Sequence, residues 1–384
     1  MSTISHAAIT LEQSGFTTAD RNGFQMYQLF PLHYRMHEHF GNFIDHFRFS
    51  NMFFSVPDVG PVRIAKQMGV SNKVCYVSMM NGKYSQNNVI VFNVETNSDE
   101  TEITTPSRYG AVTNIQVSHN RLAVFTATRL FVYQFPDNIN QIRSEDIRPN
   151  PKGISAMSYD PTTSACYLAY PGFKTGSIQI MNLNTLTARE SKSPVVIDAH
   201  VTEIVQVALN CQGTLVASGS TKGTVIRVYD ARTKGMLYEL RRGSVHAHLQ
   251  CLAFSPCSSY LAVASDKGTL HVFGIRDAEP QKRMTVLERN LGSSSILKIQ
   301  LDRQVLALGF SKRESLKQNF MKIQKIISET AKSLTGLVAI CSDASYWRYH
   351  FSKDVNGKVH SSPPFYEELL EFSADASFFR TPLD

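Results

Sequence analysis

One unit recurs along this chain: an apolar strand, a tight turn of Ser, Asp, Lys and Gly, then a second strand of alternating character. Ser220-Thr-Lys-Gly223-Thr-Val-Ile-Arg-Val-Tyr and Ser265-Asp-Lys-Gly268-Thr-Leu-His-Val-Phe are its clearest copies. Weaker ones stand at Lys174-Thr-Gly176, Ala127-Thr-Arg129, Asp343-Ala-Ser345, Asn87-Asn88 and Arg21-Asn-Gly23, which makes seven. Arg129, Gly176, Gly223 and Gly268 lie 47, 47 and 45 residues apart. That spacing fits a four-stranded WD-type blade of ~40–45 residues with a slightly longer loop. One blade cannot bury both faces of its sheet, so units of this kind must stack until the ring closes. The pattern predicts an all-β fold, a seven-bladed β-propeller of the WD-repeat type, with residues 1–384 as a single domain. Two β-sandwiches would leave the repeat without a cause. A strand near Ala7–Gln13 is expected to complete the last blade. Two intervals are too long, Gly23 to Asn88 (65 residues) and Gly268 to Ala344 (76), and each is expected to hold an insertion.

Composition narrows the function classes. The chain is 42% hydrophobic and 18% charged, too apolar to stay disordered. Its net charge of +7 favours anionic partners. No apolar run reaches the roughly 18 residues of a membrane-spanning helix, and the start lacks a secretory pattern. Cys75, Cys166, Cys211, Cys251, Cys257 and Cys341 form no C-x-x-C pair and read as small buried thiols in a reducing compartment. His33, His37, His39 and His46 cluster without metalloprotease spacing, so no metal is expected. Gly219-Ser-Thr-Lys-Gly-Thr224 has Lys-Gly-Thr where a phosphate loop has Gly-Lys-Thr, and no helix pattern follows it. Without paired carboxylates or a nucleophile motif, no enzyme and no cofactor are expected. Basic residues concentrated on one strand and one loop also argue against nucleic acid.

The stretch Glu239-Leu240-Arg241-Arg242-Gly243 ends the blade of Gly223, just before that of Gly268. Successive side chains on a strand point to opposite faces. Arg241 is therefore expected to serve its own blade's site, and Arg242 the next blade's. The first neighbourhood offers His200, Ser218, Ser220, Thr224 and Arg227; the second offers Ser265, Thr269 and His271. With one residue of slippage, Arg227 and His271 occupy equivalent places after their turns. A guanidinium, hydroxyl donors and a second cationic or proton-donating group are what a phosphomonoester needs. Gly223, Gly268 and Gly243 are expected to keep the backbone open. The same residues also fit a hydrogen-bond network that only locks strands together.

Leu240-Arg241-Arg242-Gly243, flanked by the two Lys-Gly-Thr turns, resembles the PROPPIN family of phosphoinositide-binding propellers, in its WIPI-type Leu-Arg-Arg-Gly form. Tyr167–Ile180 is similar to that family's fourth blade and Asn22–Leu32 to its first; the likeness is dense over 110–275 and poor over 36–75. The resemblance implies recognition of phosphatidylinositol 3-phosphate and phosphatidylinositol 3,5-bisphosphate at two rim sites, in autophagosome formation. One site would use His200, Ser218, Ser220, Thr224, Arg227 and Arg241, the other Arg242, Ser265, Thr269 and His271. It further implies a monomeric cytoplasmic scaffold, peripheral on phagophore, autophagosome and endosomal membranes, with an autophagy lipid-transfer protein as partner. A WD-repeat scaffold without lipid binding is the alternative.

The second long interval holds residues 276–318, read as a basic loop between the third and fourth strands of blade six. Leu297, Leu301, Val305 and Leu308 fall on one helical face, an expected amphipathic membrane helix, although Leu297, Ile299 and Leu301 also alternate as a strand would. The resemblance implies a membrane-inserting loop at this place.

Overall fold

Strand-forming runs here are short and rich in Val, Ile, Leu and Phe. In the computed structural model they form antiparallel meanders, four strands each in six sheets and five in the seventh. The structure describes residues 3–29, 52–56, 59–69, 71–186, 195–275, 295–311, 335–353, 358–361 and 363–369. Seven such sheets follow in chain order, the blades, at 6–56, 62–104, 112–146, 156–198, 204–241, 249–300 and 305–368. The chain is a seven-bladed all-β propeller. All seven repeat turns fall at the start of a blade's third strand, from Phe24–Gln28 in blade one to Ser345–Lys353 in blade seven.

The first strands of successive blades stand next to one another around the central channel, and the first strand of blade one (His6–Ile9) touches those of blades two and seven. Each sheet is therefore sandwiched between two neighbours. Leu122, Ala123, Val124 and Phe125 are all fully buried, so central strands read as continuous apolar runs rather than alternating ones.

Ring closure differs from the expectation. The strand His6–Ile9 pairs with Gly15–Ala19 and belongs to blade one, not to the last blade. Blade seven is completed from its own part of the chain, where Phe365–Glu368 joins the third strand beside Val359–Ser361. The ring closes through side chains instead. Phe16 stacks between Tyr27 and Tyr346, with ring centroids 4.5 and 5.8 Å away. The Gln13 side chain donates to the Phe254 carbonyl (2.8 Å) and accepts from the Phe310 amide (2.6 Å), joining blade one to blades six and seven.

The expected membrane helix is overturned. Leu297–Gln300 is the fourth strand of blade six and Val305–Ser311 the first of blade seven. Leu301, Val305 and Leu308 are 4, 4 and 7% exposed and pack with Phe310, Leu337 and Phe351. Two successive buried strands put apolar residues near a helical interval by coincidence. The expected loop over 276–318 is thus interrupted by strands from 297 to 311. Its parts 276–294 and 312–318, with the early His cluster, lie outside the described residues. Cys75, Cys166 and Cys341 are buried as expected, whereas Cys257 is exposed.

Candidate functional site

Register in blade five settles where the paired arginines point. Ser218 lies opposite Arg227, Arg227 opposite Glu239, and Val225 opposite Arg241. Directly opposed residues share a face of the sheet, so Ser218, Arg227, Glu239 and Arg241 stand on one side. That side looks at blade four, because Arg227 Nη1 donates to the Ala199 carbonyl (2.8 Å) and the His200 ring reaches Ser218 Oγ (3.1 Å). Leu240 turns the other way. It is fully buried in the core shared with blade six, among Leu249, Leu261, Val263 and Phe273. Arg242 follows on that same side. The two guanidiniums occupy different crevices.

The crevice between blades four and five brings together His200, Ser218, Arg227 and Arg241, with Ser220 and Thr224 at the mouth of its turn. Arg241 is exposed at the end of its strand, while Ser218 and Ser220 are buried. The Arg227 Nε bonds Glu239 Oε2 at 2.8 Å, so this cation already carries a carboxylate. Burial, then the neighbouring Arg227, push the His200 imidazole down to about 4. At neutral pH the ring is an uncharged hydrogen-bonding group, and an arriving phosphate would raise its pKa.

The crevice between blades five and six is built differently. Arg242 is only 8% exposed. Its Nε donates to the Gly223 carbonyl (2.8 Å) and an Nη to that of Val245, so its orientation is fixed by backbone rather than by an acid. Burial lowers its pKa, with the Asp266 charge acting against this. His271 lies across the crevice, pushed down to about 4 by burial, then Arg242, then Lys298, and its Nδ1 sits 3.3 Å from Ser295 Oγ. Thr269 Oγ1 donates to the Gln300 side chain at 3.3 Å. The Ser265 hydroxyl is buried without a hydrogen-bond partner. An orphaned buried hydroxyl on the same face of blade six as His271 is a group that a bound anion oxygen would satisfy.

The one-residue slippage has a structural basis. Arg227 pairs with Ser218 and His271 with Val263, each five residues before its turn glycine. The turn of blade six is one residue shorter after the glycine, so the two cationic groups occupy equivalent places. Register also adds residues that motif reading left without a role. Glu239 faces Arg227 and Lys298 faces His271 from the fourth strands. The alternation Leu297-Lys298-Ile299 was the signal for Lys298, hidden by the helical reading. The glycine expectation needs correction at Gly223 and Gly268. Their φ values are +62° and +67°. A Cβ there would lie 1.9 Å from the Ala247 carbonyl oxygen and 2.2 Å from Asp302 Oδ1. Both glycines admit a neighbouring loop, not a ligand; at Gly243 a Cβ would meet nothing within 4 Å.

The central channel encloses about 620 Å³, and its described lining includes no Asp or Glu. Among the described residues no three His, Cys, Asp or Glu side chains gather as metal ligands, and no helix is long and apolar enough to cross a membrane.

The PROPPIN family model matches residues 42–285. The chain is 62% identical to Ectopic P granules protein 6 of Caenorhabditis elegans over 385 residues, covering 100% of this chain and 92% of that protein. It is 30% identical to autophagy-related protein 18 of Dictyostelium discoideum over 217 residues, 56% of this chain and 55% of the relative. Among solved structures, Kluyveromyces lactis Hsv2 superposes with a TM-score of 0.69 at 21% identity, covering 96% of this chain and 100% of that one.

Proposed function

The chain belongs to the PROPPIN family, and from that premise we propose that it is a phosphoinositide effector whose two crevices each hold one 3-phosphorylated inositol headgroup. The ligands are phosphatidylinositol 3-phosphate and phosphatidylinositol 3,5-bisphosphate. The reading is carried by one observation: Arg241 and Arg242, adjacent in sequence, face different crevices, each furnished with a histidine and at least one buried serine. A phosphomonoester brings about −1.5 to −2 charges and three acceptor oxygens. In the first crevice Arg241 and Arg227 are its cationic contacts, with His200 as hydrogen-bond donor beside Ser218, Ser220 and Thr224. In the second, Arg242 is the fixed cation, with Ser265, Thr269 and His271 around it.

Two crevices flanking one blade lie on one edge of the ring, so a single bilayer engages both. The second headgroup then binds intramolecularly, which raises avidity by about 10²–10⁴ over either site. The ring stands on its edge and leaves other blades for protein partners, a large lipid-transfer protein of autophagy among them. A relative named for autophagy supports placing this activity in autophagosome formation, as a scaffold recruited to the membrane. Residues 276–294, which join the third and fourth strands of blade six, are the segment we assign to membrane contact.

The test is vesicle flotation with the double variant Arg241→Thr, Arg242→Thr. Loss of binding to vesicles bearing phosphatidylinositol 3-phosphate, with an unchanged melting temperature, is expected. Retained flotation would leave the chain a scaffold without lipid binding.

A further inference from the structure

Away from the rim, the channel wall gathers positive charge that no described carboxylate answers. Lys66, on the first strand of blade two (Val62–Gln67), and His6, on the first strand of blade one, both line the channel. Lys66 has no ion pair or hydrogen bond with any described residue. Arg63 lies close by; an Nη donates to the Val112 carbonyl, and its Nε is buried with no partner. The His6 Nδ1 faces the Ala65 amide at 3.5 Å, which leaves its other ring nitrogen to donate. Lys152 adds a further cation to the lining, and Gln116, Gln206 and Gln250 line it with amides.

Those amides are already engaged between blades. Gln116 donates to the Ser155 carbonyl (3.0 Å), Gln206 to the Gln250 carbonyl (2.7 Å), and Gln250 accepts from the Val305 amide (3.0 Å). The wall is held rigid by them, while the basic cluster at the junction of blades one and two is left uncompensated. Both channel groups are shifted toward their neutral forms, chiefly by burial. Burial pulls Lys66 down to about 7, and burial with the Lys66 and Arg63 charges pulls His6 down to about 3. An uncompensated cationic cluster in an enclosed polar cavity is relieved by an anion or by loss of protons.

We propose that the central channel is a binding site for a small soluble phosphate-bearing anion, seated on Lys66 and His6 and separate from the two rim crevices. A lysine ammonium takes phosphate as a point charge, the uncharged His6 ring donates a hydrogen bond, and the nearby Arg63 adds positive charge, a set that favours a multivalent oxyanion over chloride. The volume falls within the range of ordinary small-molecule sites.

The experiment is thermal unfolding of the full chain with inorganic pyrophosphate, against sodium chloride matched for ionic strength. Pyrophosphate is expected to raise the melting temperature by about 2 °C or more near saturation. The shift is expected to persist in the Arg241→Thr, Arg242→Thr double variant, which separates this site from the rim reading. Lys66→Met is expected to abolish the shift while melting, without anion, no lower than the parent protein; Lys66→Arg is expected to keep it. If Lys66→Met does not fold, His6→Gln is measured instead and is expected to reduce the shift. No shift in the parent protein, a shift lost with the rim arginines, or one unchanged by both channel substitutions would overturn the proposal. A Lys66-dependent shift with vesicles in place of pyrophosphate would contradict its assignment to a soluble anion.

Discussion

The two crevices flanking blade five are copies of one design with opposite charge management. In the crevice toward blade four, Arg227 is bonded to Glu239, and the exposed Arg241 carries the second positive charge. In the crevice toward blade six, the equivalent cationic place is His271, Lys298 stands where Glu239 stood, and the buried Arg242 is held by carbonyl oxygens. The first is neutralised in part by its ion pair, which a headgroup bound there as proposed would have to displace. The second is preset, since its guanidinium needs no carboxylate to leave. Strand register copies a place around the ring, while the side chain on the outermost strand decides how much positive charge that place keeps.

Five substitutions sharpen or break this contrast. Leu240 lies in the wall between the crevices, and Leu240→Ala is expected to cost about 2–5 kcal/mol by leaving a cavity in a fully buried core. Chemical denaturation measures it; a loss below 0.5 kcal/mol would mean the wall is not packed as described. Lys298→Met is expected to weaken only the blade five/six crevice, by about fivefold, the effect of roughly 1 kcal/mol for an exposed charge. Titration with a soluble headgroup checks this, and equal weakening of both crevices would erase the distinction. Glu239→Gln is expected to act in the opposite sense, strengthening the blade four/five crevice by about threefold, because Arg227 is released toward the phosphate. Weaker binding would show that the carboxylate orients Arg227 rather than competing for it.

The smallest effect concerns pH. His200 and His271 have folded-state values of about 4, below the ordinary 6.5. Between those values the unfolded chain binds more protons, so stability is present above about pH 6.5 and is lost as pH falls toward 4. His200→Gln and His271→Gln are each expected to flatten the fall of melting temperature over that window. A slope unchanged by either would show that the rings are not held neutral.

The repeat was legible because a four-stranded meander forces its second turn to recur at blade spacing, and Gly176, Gly223 and Gly268 need positive φ there. The opposed arginines were legible for a similarly local reason: extended backbone alternates its side chains, here even one residue past the strand end at Arg241. Closure was not. Whether His6–Ile9 joins the first or the last sheet depends on contacts some 300 residues apart, such as Gln13 with Phe310, which no local pattern encodes. The apolar series Leu297, Leu301, Val305, Leu308 misled because two short strands joined by a tight connection repeat at nearly helical intervals. Glu239 and Lys298 remained without roles because their meaning lies in cross-strand partners.

The sequence also shows where the basic charge outside the strands sits. Residues 312–334, between the first two strands of blade seven, hold Lys312, Arg313, Lys317, Lys322, Lys325 and Lys332 against Glu314 and Glu329, a net +4. The 276–294 segment carries Arg276, Lys282, Arg283 and Arg289 against Asp277, Glu279 and Glu288, a net +1. By charge alone an anionic leaflet would attract the later segment more strongly, at about 1 kcal/mol per basic residue near the surface, than the 276–294 segment proposed for membrane contact.

Calorimetric titration with a short-chain, soluble phosphatidylinositol 3-phosphate counts the headgroups directly. Two per chain are expected for the parent protein, one for Arg241→Thr, one for Arg242→Thr and none for the double variant. A single headgroup in the parent, or loss of both on removing either arginine, would contradict two independent crevices back to back on one blade.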